Sequence, residues 1–374
     1  MARTDAPGTR TTELLPPLPA AFREALDAVG ASFDVAAEVP EPQDAPVLRW
    51  GVLGAGSIAG TFATDVPTLS SGVIAAVGSR DRDKAQAFID SHPATAKGGP
   101  ARAHGSYEEL VADDEVEAVY VATPHAFHAE HALLALEAGK PVLVEKSFTV
   151  NAAQARRVLD AACQRGLFVM EAIWTRFLPG QRLAQRLVDS GALGQVRHVQ
   201  ATHFQSLLHV ERMVRPELAG GALLDLGVYP LSFIHALLGA PLSQSVVGRL
   251  STEGLDLGEV CALRYDGLSA VAASGMDCAG RNGAEVIGSE ARLTIDRQFY
   301  RPVPVSLARG PRDATSTTWD AHLPGGFQLE AAEAARCIKN GRTQSDIMPW
   351  SATIEVMEMM DEVRAALGVV YPGE

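Results

Sequence analysis

Between residues 47 and 170, short apolar runs alternate with longer stretches that carry helix start and stop signals. Apolar runs of this length are typical of buried strands. Strands that alternate with helices predict βαβ units and a doubly wound, parallel α/β sheet with right-handed crossovers. Strands are predicted at 48–53, 73–77, 101–104, 116–122, 141–145 and 167–170, with helices that begin after Gly56, Asp81, Ser106, Thr123 and Asn151.

After about Glu171 the pattern changes, because strand-like runs follow one another with only short loops between them. Consecutive strands of this kind pair mostly antiparallel. A second, α+β domain with a large, mostly antiparallel sheet is therefore expected. Its strands are predicted at 195–205, 245–251, 258–265, 268–276, 283–288 and 291–295, its helices near 178–190, 220–238, 326–340 and 349–367, and a loop at 301–324.

These patterns divide the chain into an N-terminal extension at 1–46, a first domain at 47–172 and a second domain at 173–374. The extension is rich in proline and alanine. Apart from a short helix at 20–29, we expect it to be poorly ordered or loosely wrapped on the surface. The last helix is expected to pack back on the first domain.

Composition narrows the classes of function. Of the 374 residues, 47% are hydrophobic and 21% charged, and the formal net charge of −13 argues against binding to nucleic acid or an anionic membrane. The four scattered cysteines argue against a zinc site, fit a reducing cytoplasm, and leave no metal expected. No apolar signal segment follows the first arginines. The most apolar stretch, 220–242, is interrupted by Asp225 and His235, which predicts a buried helix rather than a membrane span.

A glycine turn lies between the first strand and the first helix of the first domain. Gly54, Gly56 and Ala59 match the dinucleotide-binding fingerprint, with alanine in the third small position. Gly54 permits the tight turn, and Gly56 lets the backbone approach a pyrophosphate. Ser57 and Ile58 open a helix whose free N–H groups and partial positive charge attract that pyrophosphate. The alternative is an ordinary strand–helix turn.

The end of the second strand bears on which dinucleotide binds. NAD-binding proteins usually carry an acid there, about 20 residues after the glycine turn, to hold the ribose 2′-hydroxyl. This chain has Ser79 and Arg80, a hydroxyl and a guanidinium that suit a 2′-phosphate. NADP(H) is therefore favoured. The neighbouring Asp81 keeps NAD as an alternative, and Arg80 could instead be a solvated residue at the helix entry.

Two further segments follow strands at the carboxyl edge of the first sheet, where doubly wound folds bind ligands. In the first segment, His125 and His128 are candidates for lining the site, and the alternative is that they are packed or solvated. In the second segment, Lys146 could stabilise a developing alkoxide, and the alternative is a structural pair of Lys146 with Glu145 at a domain hinge. The segments supply Thr123, Pro124, His125 and His128, and then Glu145 and Lys146.

An acid and a phenol stand four residues apart in the apolar helix predicted at 220–238. Asp225 and Tyr229 therefore share one face of that helix. Two polar side chains in an apolar helix need hydrogen-bond partners when they are buried. With Lys146 nearby, the phenol could take and return the proton of a substrate hydroxyl. The alternative is a buried Asp–Tyr hydrogen bond that only fixes the helix.

Together, these stretches resemble the glucose–fructose oxidoreductase/inositol dehydrogenase family, Gfo/Idh/MocA. The resemblance covers most of residues 48–240. It implies a Rossmann domain followed by an open-faced α/β domain whose sheet forms a homodimer interface, and hydride transfer at C4 of a nicotinamide. The matching pieces occur in the family's order: Gly54-Ala55-Gly56-Ser57-Ile58-Ala59, Thr123-Pro124 with His128, Glu145-Lys146, and Gly220-Gly221 followed by Asp225 and Tyr229.

The resemblance also implies residue roles. Lys146 would be the active-site lysine, Tyr229 the acid/base, and Asp225 an orienting or substrate contact. The cofactor would also touch Thr123, Pro124, His128, Glu145 and Lys146. One position departs from the family's pattern, because its usual Glu-Lys-Pro reads Glu145-Lys146-Ser147 here. In the family that proline, often in a cis peptide, helps to fix the backbone of the lysine.

The stretch at 170–179 resembles the branch of the family that contains dimeric dihydrodiol dehydrogenase and NADP-dependent D-xylose dehydrogenase. That likeness implies a substrate pocket walled by Trp174 and Arg176. We therefore expect a cytoplasmic, homodimeric, NADP-dependent dehydrogenase of a small sugar, polyol or cyclic diol. The alternatives are a non-catalytic NADP-binding regulator and a sugar isomerase or glycosidase that keeps its cofactor bound.

Overall fold

The computed structural model describes residues 14–371 and 374. Two sheets dominate it. The first has six parallel strands in the order β3-β2-β1-β4-β5-β6, and the second has eight strands in the order β14-β13-β12-β11-β7-β10-β9-β8, antiparallel except where β7 meets β10. The strands are β1 (Arg49–Leu53), β2 (Val73–Gly78), β3 (Arg102–His104), β4 (Ala118–Val121), β5 (Val142–Glu145), β6 (Val169–Ala172), β7 (Val196–Phe204), β8 (Ser243–Leu250), β9 (Asp256–Arg264), β10 (Ser269–Gly275), β11 (Ala284–Gly288), β12 (Ala291–Ile295), β13 (Val305–Arg309) and β14 (Thr315–Trp319).

Helices cover both faces of the first sheet and one face of the second. They are α1 (Ala20–Asp27), α2 (Val35–Glu38), α3 (Ser57–Leu69), α4 (Arg82–Ser91), α5 (Tyr107–Val111), α6 (His128–Glu137), α7 (Ala152–Arg165), α8 (Pro179–Asp189), α9 (Val228–Leu238), α10 (Phe327–Lys339) and α11 (Trp350–Leu367). The predicted fold class, a doubly wound parallel sheet followed by an α+β domain, is confirmed.

Helix signals in the first domain act as the sequence predicts. Asp81 and Asn151 cap α4 and α7 with their side chains, and Gly166 ends α7 in the left-handed region at φ 63°. The strand β6 starts two residues later than predicted. The reason is that Leu167 still belongs to the helix end, where its N–H donates to the carbonyl of Ala162.

The N-terminal extension departs from the expectation of loose packing. Residues 1–13 lie outside the described residues, but 14–46 are packed against the second domain. Phe22 and Leu26 of α1 are at most 1% exposed, and the ring of Phe22 lies 6.1 Å from that of Trp319. Their burial stabilises the segment despite its prolines, because apolar side chains removed from water offset the loss of chain entropy.

The predicted loop at 301–324 is wrong, because it contains the hairpin of β13 and β14. Val305 and Leu307 are buried on the inner face, and Trp319 is fully buried at the end of β14. The remainder of β14 reads Thr-Ser-Thr-Thr and is mostly exposed at the edge of the sheet. An edge strand needs little apolar surface, so its sequence resembles a loop.

The apolar stretch predicted as one helix is a π-helical turn, Leu223–Gly227, followed by α9. Among the described residues, Pro216–Leu238 is the one helical stretch long and apolar enough to cross a membrane. Yet 89% of its most apolar window is buried inside the protein. It therefore packs as a core segment, in agreement with the sequence pattern.

The last helix, α11, lies against α7 of the first domain. The N–H of Ala152 donates to Asp361 at 2.9 Å, and Arg156 pairs with Glu358. The indole N–H of Trp350 donates to the carbonyl of Val169 at 2.9 Å. The exact division of the chain at 172/173 stays a prediction.

One face of the second sheet is covered by helices, and the other is open. On the covered face, Val199 and Ala201 of β7 are fully buried. On the open face, Val247 of β8 pairs with Val260 of β9, and these side chains are 69% and 40% exposed.

Candidate active site

A cavity of about 1000 Å³ lies between the carboxyl edge of the first sheet and the second domain. This is the edge at which the fold type binds ligands. The first domain contributes Gly56, Ser57, Ile58, Thr61, Asp65, Thr123, Pro124, His125, His128, Glu145 and Lys146, and the second contributes, among others, Trp174, His203, Gln205, Arg212, Asp225, Tyr229, Tyr300 and Phe327.

The glycine turn is shaped by close approach on one side and open space on the other. Gly54 has φ 111°, and a Cβ there would lie 2.8 Å from the carbonyl oxygen of Ala122. At Gly56, by contrast, no described atom would come within 4 Å of a Cβ. Among the described residues, no side chain caps the N-terminus of α3, where Ser57 and Ile58 line the cavity. Uncapped N–H groups beside an open cradle suit a diphosphate.

The end of β2 lies next to this turn, because Leu53 of β1 pairs with Gly78 of β2. Ser79 is buried and Arg80 exposed at the same edge. The carboxylate of Asp81 accepts the N–H groups of Asp83 and Lys84 as the cap of α4. That acid is therefore engaged with its own helix, and the arginine beside it is left open to a ligand.

The histidines after β4 are packing residues of the cavity floor. The two ring nitrogens of His128 lie 2.7 Å from the carbonyl oxygen of Thr123 and 2.8 Å from that of Ser147. The ring of His125 lies 3.3 Å from the carbonyl oxygen of Lys146. Burial lowers the pKa of His128 to about 4 and that of His125 to about 3. They tie the end of β4 to the end of β5.

Glu145 lies behind the candidate lysine. The hydroxyl of Tyr120 donates to one of its oxygens, and the backbone N–H of Lys146 donates to the other at 3.2 Å. Burial raises the pKa of Glu145 to about 7. Glu145 is thus a buried support beneath Lys146, at the boundary of the cavity.

Lys146 joins the two domains. Its Nζ donates to the carbonyl oxygen of Asp225 at 3.0 Å and to its Oδ1 at 3.1 Å, and lies 5.0 Å from the ring centroid of Tyr229. Burial alone would lower the pKa of Lys146, but Asp225, Tyr229 and Glu145 together outweigh it and the net pKa is raised. The Lys146–Ser147 peptide is cis, and Ser147 Oγ donates to the carbonyl of Leu224 at 2.8 Å.

Asp225 and Tyr229 approach Lys146 from the same side. The structure does not support the alternative of a mutual Asp–Tyr hydrogen bond, since Asp225 binds Lys146 and Arg212 instead. The hydroxyl of Tyr229 accepts the indole N–H of Trp174 at 3.3 Å. Burial raises the pKa of Tyr229, and the positive charge of Lys146 opposes that rise. A cation beside a buried phenol is an arrangement that can move a proton.

Comparison with known proteins agrees with this geometry. Residues 48–173 match the oxidoreductase family GFO/IDH/MocA, described as an NAD-binding Rossmann fold, and 181–294 match the GFO/IDH/MocA C-terminal domain. The chain belongs to the GFO/IDH/MocA oxidoreductase family. The predicted family is therefore confirmed.

Relatives within the family carry defined activities. The chain is 34% identical over 370 residues to the D-xylose 1-dehydrogenase (NADP(+)) of Hypocrea jecorina, covering 87% of this chain and 93% of that enzyme. It is 33% identical over 335 residues to the human trans-1,2-dihydrobenzene-1,2-diol dehydrogenase, covering 87% and 98%. Among solved structures, the 3-ketoreductase KijD10 of Actinomadura kijaniata, in complex with NADP and TDP-benzene, shares 29% identity at a TM-score of 0.74, covering 86% and 98%.

One predicted pocket residue of this GFO/IDH/MocA member does not reach the cavity. Arg176 is buried, and its guanidinium donates to Ser232 Oγ at 2.8 Å and lies 3.2 Å from the ring nitrogen of His235. It shares a 3₁₀ turn with Trp174, which does line the cavity. At three residues per turn, positions two apart point in different directions, so both could not face the pocket.

Sequence reasoning missed several residues of the site in this family member, among them three that lie beside Asp225 and Tyr229. His203 stacks on Tyr300 with ring centroids 4.0 Å apart and meets Tyr229 edge-on at 4.9 Å. Burial lowers the pKa of His203 to about 3. Arg212 reaches Asp225 from the segment between β7 and the π-helical turn. Strand alternation could have found His203, whereas no local pattern marks Arg212 or Tyr300.

Proposed function

We propose that this chain is a dehydrogenase or reductase that moves a hydride between NADP(H) and a carbon bearing a hydroxyl or carbonyl group. The substrate class is a sugar, polyol or cyclic diol. The observation that carries the proposal is the position of Lys146, whose Nζ lies 3.1 Å from Asp225 and 5.0 Å from the ring of Tyr229, at the sheet edge beside the glycine turn. Relatives named for D-xylose and for a dihydrobenzenediol support the substrate class.

The cofactor assignment is supported by the shape and charge of the first domain. The open cradle at Gly56 and the uncapped start of α3 suit a pyrophosphate, with Ser57 and Ile58 supplying N–H groups. Ser79 and Arg80 would hold a 2′-phosphate. When bound, NADP⁺ supplies the acceptor for the hydride at C4 of its nicotinamide. Thr123, Pro124, His128, Glu145 and Lys146 line the cavity at the same sheet edge and would contact the bound cofactor.

The residues of the second wall supply the proton chemistry. In oxidation, the ionised, phenolate oxygen of Tyr229 takes the proton of the substrate hydroxyl, and the carbon that loses the hydride is left as a carbonyl. In reduction, the same phenol returns the proton. Lys146 stabilises the alkoxide between these states, and Asp225 orients Lys146 through the two bonds at Nζ. Trp174 holds the phenol in place.

The first test is a fluorescence titration with NADPH and NADH, followed by a turnover screen of aldoses and cyclic diols with NADP⁺. Tight NADPH binding with turnover of at least one such substrate is expected. NADPH binding without any turnover would favour the non-catalytic regulator. Cofactor that copurifies and supports isomerisation or glycoside cleavage without added NADP would favour the enzyme with held cofactor.

We further propose that the chain forms a cytoplasmic homodimer through the open face of the second sheet. The exposed Val247–Val260 pair supports such a contact, since apolar side chains on an uncovered sheet favour burial. The structure describes all four cysteines, and each is free, which suits a reducing compartment. Light scattering should give twice the chain mass, and Val247→Glu should give one chain mass.

A further inference from the structure

The Gly220–Gly221 pair, which the chemistry above does not use, determines how closely two segments approach. A Cβ on Gly220 would lie 2.6 Å from the carbonyl oxygen of Met213 and 2.8 Å from that of Arg212. Gly221 has φ 124° and donates its N–H to Met213 at 3.1 Å. The glycines therefore let the turn Glu211–Val214 lie directly on the residues that begin the π-helical turn.

Within the turn Glu211–Val214, one side chain is buried in an apolar cluster and its neighbour faces the cavity. The side chain of Met213 is fully buried in a small apolar cluster with Ala222, Leu226 and Met276. The side chain of Arg212, the residue before Met213, lines the cavity and is 45% exposed. Its guanidinium lies 3.0 Å from Asp225 Oδ1 and 3.2 Å from Oδ2. The anchor thus fixes the position from which the arginine reaches the acid.

Two cations consequently share one carboxylate. Asp225 is 7% exposed at its side chain and binds both Lys146 and Arg212. Burial alone would raise the pKa of Asp225, but Lys146 and Arg212 outweigh it and lower it. One negative charge cannot neutralise both cations, so the three groups together keep a net positive charge beside Tyr229.

We propose that Arg212 is a positioning residue for Lys146, which it keeps available to Tyr229 and the reacting oxygen by occupying the carboxylate of Asp225. The inference rests on the proposed function of Lys146 and Tyr229. Without Arg212, the carboxylate would hold Lys146 alone and with its full attraction. The charged and titratable groups that face Asp225 and Tyr229 are Tyr120, Glu145, Lys146, His125, His203, Tyr300 and Arg212.

The test compares Arg212→Met with Arg212→Lys and with Arg215→Met. Arg215 lies in the same segment but pairs with Glu211 and Glu217, away from Asp225. In Arg212→Met the lost positive charge disfavours the phenolate of Tyr229. For alcohol oxidation, the limb on which kcat/KM rises with pH should therefore move to higher pH by about half to one unit. Arg212→Lys should restore the limb, and Arg215→Met should leave it unmoved, with NADPH affinity unchanged throughout.

A second readout does not depend on turnover. Reductive methylation followed by mass spectrometry gives the labelling rate of Lys146 relative to the exposed Lys84 of α4. Loss of the neighbouring guanidinium raises the pKa of Lys146, so relative labelling in Arg212→Met should fall about three- to tenfold. Mere opening of the site would have the opposite effect, because it would speed labelling.

The outcomes separate the two proposals. Slower labelling without turnover of any substrate by the wild-type protein would overturn the proposed function and support the charge sharing at Asp225. A different result would overturn the role of Arg212 alone. In that case the wild-type protein turns over a substrate, but Arg212→Met leaves the pH profile unmoved and labels Lys146 at an unchanged or faster rate.

Discussion

The two walls of the cavity are built in different ways. The cofactor wall comprises residues 54–58, of which Gly56, Ser57 and Ile58 line the cavity, and the adjoining residues 79–80. It offers backbone N–H groups and one exposed arginine at the ends of adjacent strands. The substrate wall, formed by Arg212, Asp225 and Tyr229 together with His203, offers three buried side chains and one partly exposed arginine, all from separate elements.

Because the two walls are built differently, we expect them to tolerate different kinds of substitution. A backbone site depends on the space around the chain, so added volume should damage it more than a change of charge. A buried side-chain site depends on balanced charge, because Asp225, Lys146 and Tyr229 alter one another's protonation. The comparison predicts that variants of the cofactor wall change binding, whereas variants of the substrate wall change turnover.

The largest expected effect is in the substrate wall. Tyr229→Phe removes the proton acceptor but keeps the ring, so kcat should fall by about two to four decades, the usual range for a general acid or base. NADPH affinity should stay within about twofold of wild type. Steady-state kinetics and a fluorescence titration measure the two quantities.

Tyr300→Phe is the matched control for that prediction. Tyr300 also packs against His203, but its hydroxyl accepts a hydrogen bond from Gln205 at 3.4 Å. Its loss should change kcat only a few-fold. Equal losses in the two variants would mean that the wall loses activity through packing rather than through the phenol of Tyr229.

The second prediction concerns volume in the cofactor wall. Gly56→Ala places a methyl group in the open cradle, so the protein should fold normally but bind NADPH about 100-fold more weakly, as expected from losing two hydrogen bonds to a charged group. Gly54→Ala meets the carbonyl of Ala122 and a φ of 111°, so it should lower the melting temperature instead. Unchanged NADPH binding in Gly56→Ala would place the diphosphate elsewhere.

The same contrast explains how far the sequence predicts the molecule. The cofactor wall could be predicted because a strand, a glycine turn and a helix are adjacent in the chain. Spacing and family resemblance predict Lys146, Asp225 and Tyr229 as site residues, and the structure brings them together. Arg212 was not, because its partner is reached only when Gly220 and Gly221 bring the turn onto the π-helical segment. Arg176 was misplaced because the direction of a side chain in a short 3₁₀ turn is not visible in the sequence.

The third prediction tests charge in the cofactor wall. Arg80→Ala should weaken NADPH binding roughly tenfold, which is about 1.5 kcal/mol for an exposed charge-assisted bond, and should leave NADH binding unchanged. Lys84→Ala, at an exposed lysine in the first turn of α4, provides the control for a general loss of positive charge. If NADH binding weakened as much as NADPH binding, Arg80 would not contact the 2′-phosphate.

The smallest effect is expected where the two walls meet. Ser147 is fully buried and donates its hydroxyl to Leu224 of the π-helical turn at 2.8 Å, so Ser147→Ala should cost about 1 kcal/mol of unfolding free energy. Because the same bond links the Lys146 backbone to the segment that carries Asp225, kcat should also fall a few-fold. Ser70→Ala is the control, since Ser70 is a buried serine that donates to Val66 at 2.6 Å away from the cavity. It should lose similar stability in urea unfolding without losing kcat, and equal kcat in the two variants would show that the walls are positioned independently of Ser147.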